Sequence, residues 1–327
     1  MIWSLQSLRF VAALMVVYVH AAQAAYTATG STGLLPYNIV SVGLSGVDLF
    51  FVLTGVVIAK AAPGLTAAEF AWRRIRRIVP IYFLCCIPAV LIALPNGIVW
   101  RDMLATFLLW PATYVMTAPL LAVAWPLSFG MLFYGCTALV LLDRRWLYAL
   151  LFAYAVAFVL RPRGPIFEFL GNPIIIEFLF GVVIARRPGV RFGSLGIALG
   201  AALLLAVGVS DLAPEGDTIS YLGGYDNLQR VALFGIPAAL IVYGTMQIKA
   251  RPSVWTYLGD ASFSLYLVHT FVVTPLLALW MMYPVNANII VLTGIIASVL
   301  LAWRVHERIE KPILRALGRR QLRPVAV

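Results

Sequence analysis

Long apolar stretches separated by short polar or basic segments run through almost the whole chain. An α-helix rises about 1.5 Å per residue and needs about 20 mainly apolar residues to cross a hydrocarbon core. Ten stretches approach that length, at residues 8–25, 39–59, 79–94, 125–142, 146–160, 166–185, 193–210, 229–248, 256–283 and 287–304. Continuous apolar runs without two-residue alternation indicate helices and not strands. The pattern therefore predicts an all-α, polytopic integral membrane protein with about ten transmembrane helices.

One further apolar stretch, residues 103–121, is interrupted by Pro111 and Pro119. Because proline removes a backbone N–H and disrupts a helix interior, we expect a re-entrant or surface element there. The pattern as a whole predicts a single transmembrane domain over residues 1–327, with a C-terminal tail from about residue 313.

Composition and charge support a membrane protein and set its orientation. The chain is 62% hydrophobic and 11% charged, with a mean hydropathy of +0.95, which is more apolar surface than a soluble core can bury. With the N-terminus placed inside, all but four of the 24 Lys and Arg residues fall in cytoplasmic segments. The four on the outer side are Arg101, Arg161, Arg163 and Arg230. This bias predicts cytoplasmic N- and C-termini.

The same distribution excludes other classes of protein and site. The net charge of +11 resides in short segments and not along an aromatic-lined groove, so no nucleic-acid partner is predicted. Cys85, Cys86 and Cys136 lie in apolar runs without metal-ligand spacing, and we expect no metal site and no disulfide framework.

Four ionisable residues fall within predicted membrane helices at similar depth: His20, Asp48, Glu177 and His269. Charged or titratable groups at bilayer depth are costly and often functional. We expect His20 to act as a general base and Asp48 to orient its imidazole, since a carboxylate can hold the tautomer and stabilise the cation. The alternative is that each is a structural polar residue hydrogen-bonded between helices.

Four arginines within five positions, Arg73, Arg74, Arg76 and Arg77, occupy the predicted inner loop before residue 79. On a helical turn Arg74 and Arg77 face the same way, and planar guanidinium groups suit phosphate oxygens. A ligand rich in phosphate, such as a nucleotide or coenzyme A, would fit. Anionic lipid headgroups or simple positive-inside retention would also explain the charges.

Several segments also resemble one known family. Residues 8–13 (LRFVAA), with ten residues between Arg9 and His20, resemble the N-terminal signature of the membrane acyltransferase-3 family, which comprises bacterial O-acyltransferases of exopolysaccharide, lipopolysaccharide and related glycans. Four further segments resemble its later motifs, in order: residues 46–55 (GVDLFFVLTG), 74–80 (RIRRIVP), 258–269 (LGDASFSLYLVH) and 309–312 (IEKP).

The resemblance implies a stand-alone ten-helix acyltransferase of the bacterial inner membrane. It implies that His20 is catalytic, that Arg74 and Arg77 contact the acyl-CoA, and that Arg9 supports the donor tunnel. Acyl-CoA, most simply acetyl-CoA, would be the donor substrate without any permanently bound cofactor. A glycan or lipid-linked sugar would be the acceptor, and the polysaccharide biosynthesis machinery and membrane lipids would be partners.

Residues 125–134 (WPLSFGMLFY) resemble a further motif of the family but depart from it at Gly130, where glutamate is expected. Glu177 offers a substitute carboxylate. The residues expected to line an acceptor chamber are Trp125, Tyr134, Glu177, Tyr266 and His269.

Two other functions compete with the enzyme. In a proton-coupled transporter or exporter, the four intramembrane titratable residues would form a proton relay. In a structural partner of a polysaccharide-export complex, the chain would carry no chemistry, and Gly130 favours that alternative.

Overall fold

The computed structural model describes residues 2–186, 193–283 and 285–319, and helices make up most of this part of the chain. Within these described residues, eight helices are long and apolar enough to cross a membrane. They are α1 (Trp3–Thr29), α2 (Tyr37–Ala61), α3 (Ala67–Asn96), α4 (Ala122–Leu142), α5 (Arg145–Arg163), α6 (Pro165–Arg186), α8 (Asn227–Met246) and α10 (Ala287–Gly318). Between them lie the shorter α7 (Gly193–Val209) and the bent pair α9 (Ser262–Val268 and Thr270–Trp280), which counts as a ninth span if the chain crosses there. The all-α membrane fold is thus confirmed.

The bounds of α3 differ from the predicted stretch 79–94. The helix begins at Ala67, where the Thr66 side chain accepts a hydrogen bond from the backbone N–H of Glu69, whose carboxylate in turn accepts from the N–H of Thr66. This capping box starts the helix well before the apolar run. The basic residues 73–77 therefore lie on a helix and not in a loop, which corrects the prediction.

The segment 103–121 is not a spanning helix. Its first turns, Trp100–Met103 and Leu104–Leu108, end at Leu109, which has a left-handed backbone conformation (φ 53°). Thr106 ties the irregular part to the bundle, because its hydroxyl accepts from the N–H of Leu120 and its carbonyl accepts from the hydroxyl of Tyr82. The interruption expected from the prolines is therefore present.

Helices α2 and α6 cross in close backbone contact beside the cavity described below. A Cβ placed on Gly55 would lie 2.1 Å from the carbonyl oxygen of Phe178, and one on Gly181 would lie 2.1 Å from that of Val52. Small residues at such a crossing let two backbones touch. On the outside of the bundle, α5 exposes Tyr148, Phe152 and Val159, as expected of a lipid-facing helix.

Some sequence predictions concern residues outside the described part. Arg187, Arg191, Arg320 and Arg323, which were counted as cytoplasmic, lie outside the described residues. Within the predicted tail, residues 313–319 continue the helix Lys311–Arg319.

Candidate active site

A cavity of about 540 Å³ lies between α1, α2, α3, α4 and the first half of α9. Its walls are mostly apolar, with Val47, Phe50, Leu53, Leu127 and Phe178 among the lining residues. Along α4 the lining runs from Tyr134 to Pro126, eight residues and therefore ~12 Å of helix. The cavity is long enough to hold an extended chain.

The cavity is basic at one end. Arg9, Lys60, Arg74 and Arg77 line it, and no Asp or Glu does so among the described residues. Both Arg74 and Arg77 reach the cavity from one face of α3, which confirms that they point the same way. Four cations without a carboxylate in the lining provide a site for an anion.

Aromatic rings hold the Arg74 side chain at this end. Its guanidinium carbon lies 5.3 Å from the ring centre of Phe70 and 5.8 Å from that of Tyr134, so both rings contribute cation–π attraction. Its Nε is buried without a hydrogen-bond partner among the described residues. The two rings thus pack the guanidinium in place at the edge of the cavity.

The other end of the cavity reaches Phe50 and Tyr266. The Tyr266 hydroxyl donates a hydrogen bond of 2.6 Å to the carbonyl of Val123, and its ring centre lies 6.1 Å from that of His269. His269 in turn packs against His20, with ring centres 5.1 Å apart. The apolar end of the cavity therefore approaches two imidazoles through one tyrosine.

The hydrogen bonds of His269 define its tautomer. Its Nδ1 lies 2.8 Å from the carbonyl oxygen of Tyr266 and 3.3 Å from that of Leu265, so this nitrogen carries the proton. The Nε2 atom is then an acceptor, and it is buried with no partner among the described residues. His20 is half-buried and has the side chain of Gln23 within hydrogen-bonding reach.

Asp48 has a different partner from the one predicted. Arg230 binds its carboxylate at both oxygens, from Nε at 3.0 Å and from Nη2 at 2.6 Å, and the two side chains are 0% and 1% exposed. Glu177 lies beside them, also fully buried. The expectation that Asp48 orients His20 was wrong, because its carboxylate binds Arg230 instead. Counting residues along a helix gives the depth of a side chain in the membrane but not the direction in which it points.

The four intramembrane groups therefore form two clusters, His20 with His269 and Asp48 with Glu177, and not one chamber. Arg230, which was assigned to the outer side, is buried in the second cluster. Its position at the start of the apolar run 229–248 was the signal for such a role, since a buried arginine needs an acidic partner.

The predicted chamber residues are also distributed differently. Tyr134 lies at the basic end beside Arg74, and Trp125 stacks on Tyr221 with ring centres 5.2 Å apart, away from the cavity lining. Of the five predicted chamber residues, only Tyr266 and His269 lie at the apolar end of the cavity, opposite the arginines. Sequence reasoning missed Lys60 as a lining residue and Gln6 as a partner of Arg9, although both flank motifs that it quoted.

Gly130 lines the cavity, and a Cβ placed on it would meet no atom within 4 Å. The position expected to carry a glutamate is therefore open space in the cavity wall. Glu177 does not fill it, because its side chain is buried beside Asp48 while its neighbour Phe178 lines the cavity. The idea that Glu177 substitutes for that glutamate was wrong.

Comparison with known proteins identifies the family of this chain. The family model described as an acyltransferase domain matches residues 2–306. The exopolysaccharide production protein ExoZ of Rhizobium meliloti (strain 1021) is 28% identical over 302 residues, which cover 84% of this chain and 90% of that protein. The acyltransferase MdmB of Streptomyces mycarofaciens is 28% identical over 375 aligned positions, covering 99% of this chain and 94% of that protein. No solved structure matches. The chain belongs to the acyltransferase-3 family and is a multi-pass membrane acyltransferase.

Proposed function

We propose that this enzyme transfers an acyl group, most simply acetyl, from cytosolic acyl-CoA to a hydroxyl of a glycan precursor at the bacterial inner membrane. The observation that carries the proposal is the cavity, which is basic at one end and apolar along its length, and which approaches His269 and His20 at the other end. Family membership favours this enzyme over the transporter and over a partner without chemistry.

In this proposal the basic end binds the phosphates of the donor. Arg74 and Arg77 supply guanidinium donors from α3, Arg9 faces them from α1, and Lys60 adds charge from α2. Charge-assisted bonds from guanidinium to phosphate are roughly twice as strong as neutral ones. The positive-inside bias supports a cytosolic position for this end, where acyl-CoA is available.

The apolar length of the cavity then receives the extended arm that carries the thioester. Phe50, Leu127 and Phe178 exclude water around the arm, and Tyr266 marks its end. A dry site strengthens the electrostatic interactions of the reacting groups.

The chemical step is an acyl transfer with His20 as the general base. The acceptor hydroxyl oxygen attacks the thioester carbonyl while His20 takes the hydroxyl proton. The carbon–sulfur bond breaks, and the imidazolium returns that proton to the departing thiolate. The products are the O-acylated acceptor and free coenzyme A, with no net proton change.

The name of ExoZ supports a glycan as the acceptor class, since that relative is described as an exopolysaccharide production protein. The acceptor would approach His20 from the side of the membrane opposite the basic end. Polysaccharide biosynthesis machinery would then supply the acceptor and consume the product.

The test is transfer by purified protein. Wild-type protein with acetyl-CoA and an extracted glycan precursor should yield an acylated acceptor, detected by mass spectrometry, together with free thiol. His20→Ala should lower transfer by about 10²- to 10⁴-fold, the contribution of a positioned general base. Its acyl-CoA affinity should remain unchanged, since His20 does not line the cavity. Wild-type-like transfer by a well-folded His20→Ala variant would remove His20 from the mechanism.

A further inference from the structure

Gln6 stands between a cation of the cavity and a carboxylate behind it. Nη1 of Arg9 donates a hydrogen bond of 3.2 Å to Oε1 of Gln6, and Nε2 of Gln6 donates to Oδ1 of Asp260. Both Gln6 and Arg9 line the cavity, whereas Asp260 does not. The three side chains form a chain from the C-terminal end of a short helix, Val254–Asp260, to the basic end of the cavity.

The amide of Gln6 has only one orientation that satisfies both neighbours. Its oxygen must face the guanidinium, which has no acceptor, and its NH₂ must face the carboxylate. The reverse orientation would set donor against donor and acceptor against acceptor. Arg9 is therefore held by a directed hydrogen bond and not by a freely turning side chain.

Backbone contact between the short helix and α1 keeps Asp260 in place. A Cβ placed on Gly259 would lie 2.0 Å from the carbonyl oxygen of Gln6, so the short helix touches α1 directly. Ser253 caps the other end of that helix by accepting from the N–H of Thr256. Asp260 is thus presented to Gln6 by a helix that cannot move away without breaking a close packing contact.

A neutral amide between Arg9 and Asp260 keeps the two charged groups apart. A carboxylate bonded directly to Arg9 would neutralise the cation and compete with any anion in the cavity. A neutral amide aligns the guanidinium while leaving the positive charge to the ligand, since the Arg9–Gln6 bond is an ion–dipole contact and not an ion pair.

We propose that Gln6, braced by Asp260, is a positioning residue that aims Arg9 at the donor's phosphates and keeps its charge unneutralised. This inference rests on the proposed function, because it takes the anion at the basic end to be the phosphates of acyl-CoA.

The test compares two substitutions of Gln6 with two donors. Gln6→Glu keeps the shape of the side chain and can still accept a hydrogen bond from Arg9, but it places a negative charge beside the guanidinium. Gln6→Met keeps the size and removes both hydrogen bonds. Affinities are measured in detergent for acetyl-CoA and for acetyl-pantetheine, which carries the same thioester without phosphates. Gln247→Glu serves as the control, because it makes the same charge change at the C-cap of α8, outside the cavity lining.

We expect Gln6→Glu to weaken acetyl-CoA binding by about tenfold or more, and Gln6→Met to weaken it less, because Met leaves Arg9 charged. Acetyl-pantetheine affinity should stay within about twofold of wild type in both variants. Gln247→Glu should bind both donors like wild type.

A purely structural role of Gln6 gives a different result. Glu would then be damaging because its carboxylate faces Asp260, Met would be damaging because it removes both hydrogen bonds, and acetyl-CoA and acetyl-pantetheine would lose affinity together in each variant; that result overturns the inference. Equal acetyl-CoA affinity in wild type and both variants overturns it as well while leaving the proposed function intact. Failure of wild-type protein to bind acetyl-CoA overturns both.

If Gln6→Glu does not fold, Asp260 provides the second pair of variants. Asp260→Asn keeps an oxygen that can accept from the Gln6 amide, and Asp260→Leu does not. Acetyl-CoA affinity should fall at least severalfold further in Asp260→Leu than in Asp260→Asn, and equal affinities would overturn the inference.

Discussion

The imidazole rings of His20 and His269 pack against each other with centres 5.1 Å apart and planes tilted by 32°. His269 donates its Nδ1 proton to the carbonyl of Tyr266, so its Nε2 lone pair is a buried acceptor without a partner among the described residues. In the proposed mechanism His20 takes a proton during transfer, and that lone pair can then accept a hydrogen bond from the imidazolium. Catalytic hydrogen bonds of this kind often tighten only in the reacting complex.

The first prediction separates the two nitrogens of His269. His269→Asn keeps a donor near the position of Nδ1, whereas His269→Gln keeps an acceptor near the position of Nε2. We expect Gln to retain about tenfold more transfer activity than Asn, because it alone can stabilise the His20 cation. The measurement is kcat at saturating acyl-CoA, with KM expected to change little in either variant. Higher activity in Asn than in Gln would assign His269 a structural role through its bond to Tyr266.

The second prediction concerns the guanidinium groups at the basic end. The double variant Arg74→Lys, Arg77→Lys should bind acyl-CoA at least about tenfold more weakly, because an ammonium cannot make paired bonds to phosphate or stack on Phe70 and Tyr134 as guanidinium does. Isothermal titration in detergent measures the affinity. Arg73→Lys is the matched control, since Arg73 lies exposed on the same helix and outside the cavity lining.

Topology must be measured beside the affinity. Lys and Arg count equally for membrane orientation, so the double variant should keep its termini on the same side as wild type. Unchanged affinity with unchanged topology would mean that these arginines only orient the chain.

The third prediction concerns the ion pair between Asp48 and Arg230. Removing one partner leaves a buried charge uncompensated, which costs about 3–5 kcal/mol in proteins. Asp48→Asn and Arg230→Met should each lower the thermal stability of the purified protein, and the double variant should recover part of the loss. Additive losses in the double variant would show that the two side chains do not act as a pair.

The fourth prediction tests the open space at Gly130. Gly130→Phe should narrow the cavity and weaken acyl-CoA binding by about tenfold or more, in the range that overpacking costs. Stability should change little, because no atom lies within 4 Å of the new Cβ. Gly135→Phe is the control, since Gly135 has the same open surroundings on α4 but is exposed and outside the cavity lining. Equal donor affinity in both variants would place the donor elsewhere.

Sequence reasoning reached the fold and much of the basic end, but not the pairing of buried groups. Apolar length alone identified the helices, and the spacing of Arg74 and Arg77 identified their common face. The partner of Asp48 was missed because the depth of a residue does not say in which direction around the helix axis its side chain points. Tertiary packing decides that direction. The start of α3 was missed because its first turns are polar and their signal is the pair Thr66 and Glu69, not hydropathy.

The glycine contact between α2 and α6 makes one side of the cavity wall more rigid than the side that α3 forms. Backbones that touch at Gly55 and Gly181 leave no room to slide, so Phe50, Thr54 and Phe178 belong to a single rigid surface. By contrast, α3 faces outward over much of its length, with Ile87 and Leu91 exposed, and Pro80 and Pro88 lie inside it. We therefore expect a donor too bulky for the resting cavity to enter by bending of α3. Arg74 and Arg77, which we propose bind its phosphates, would then lie on the helix that bends.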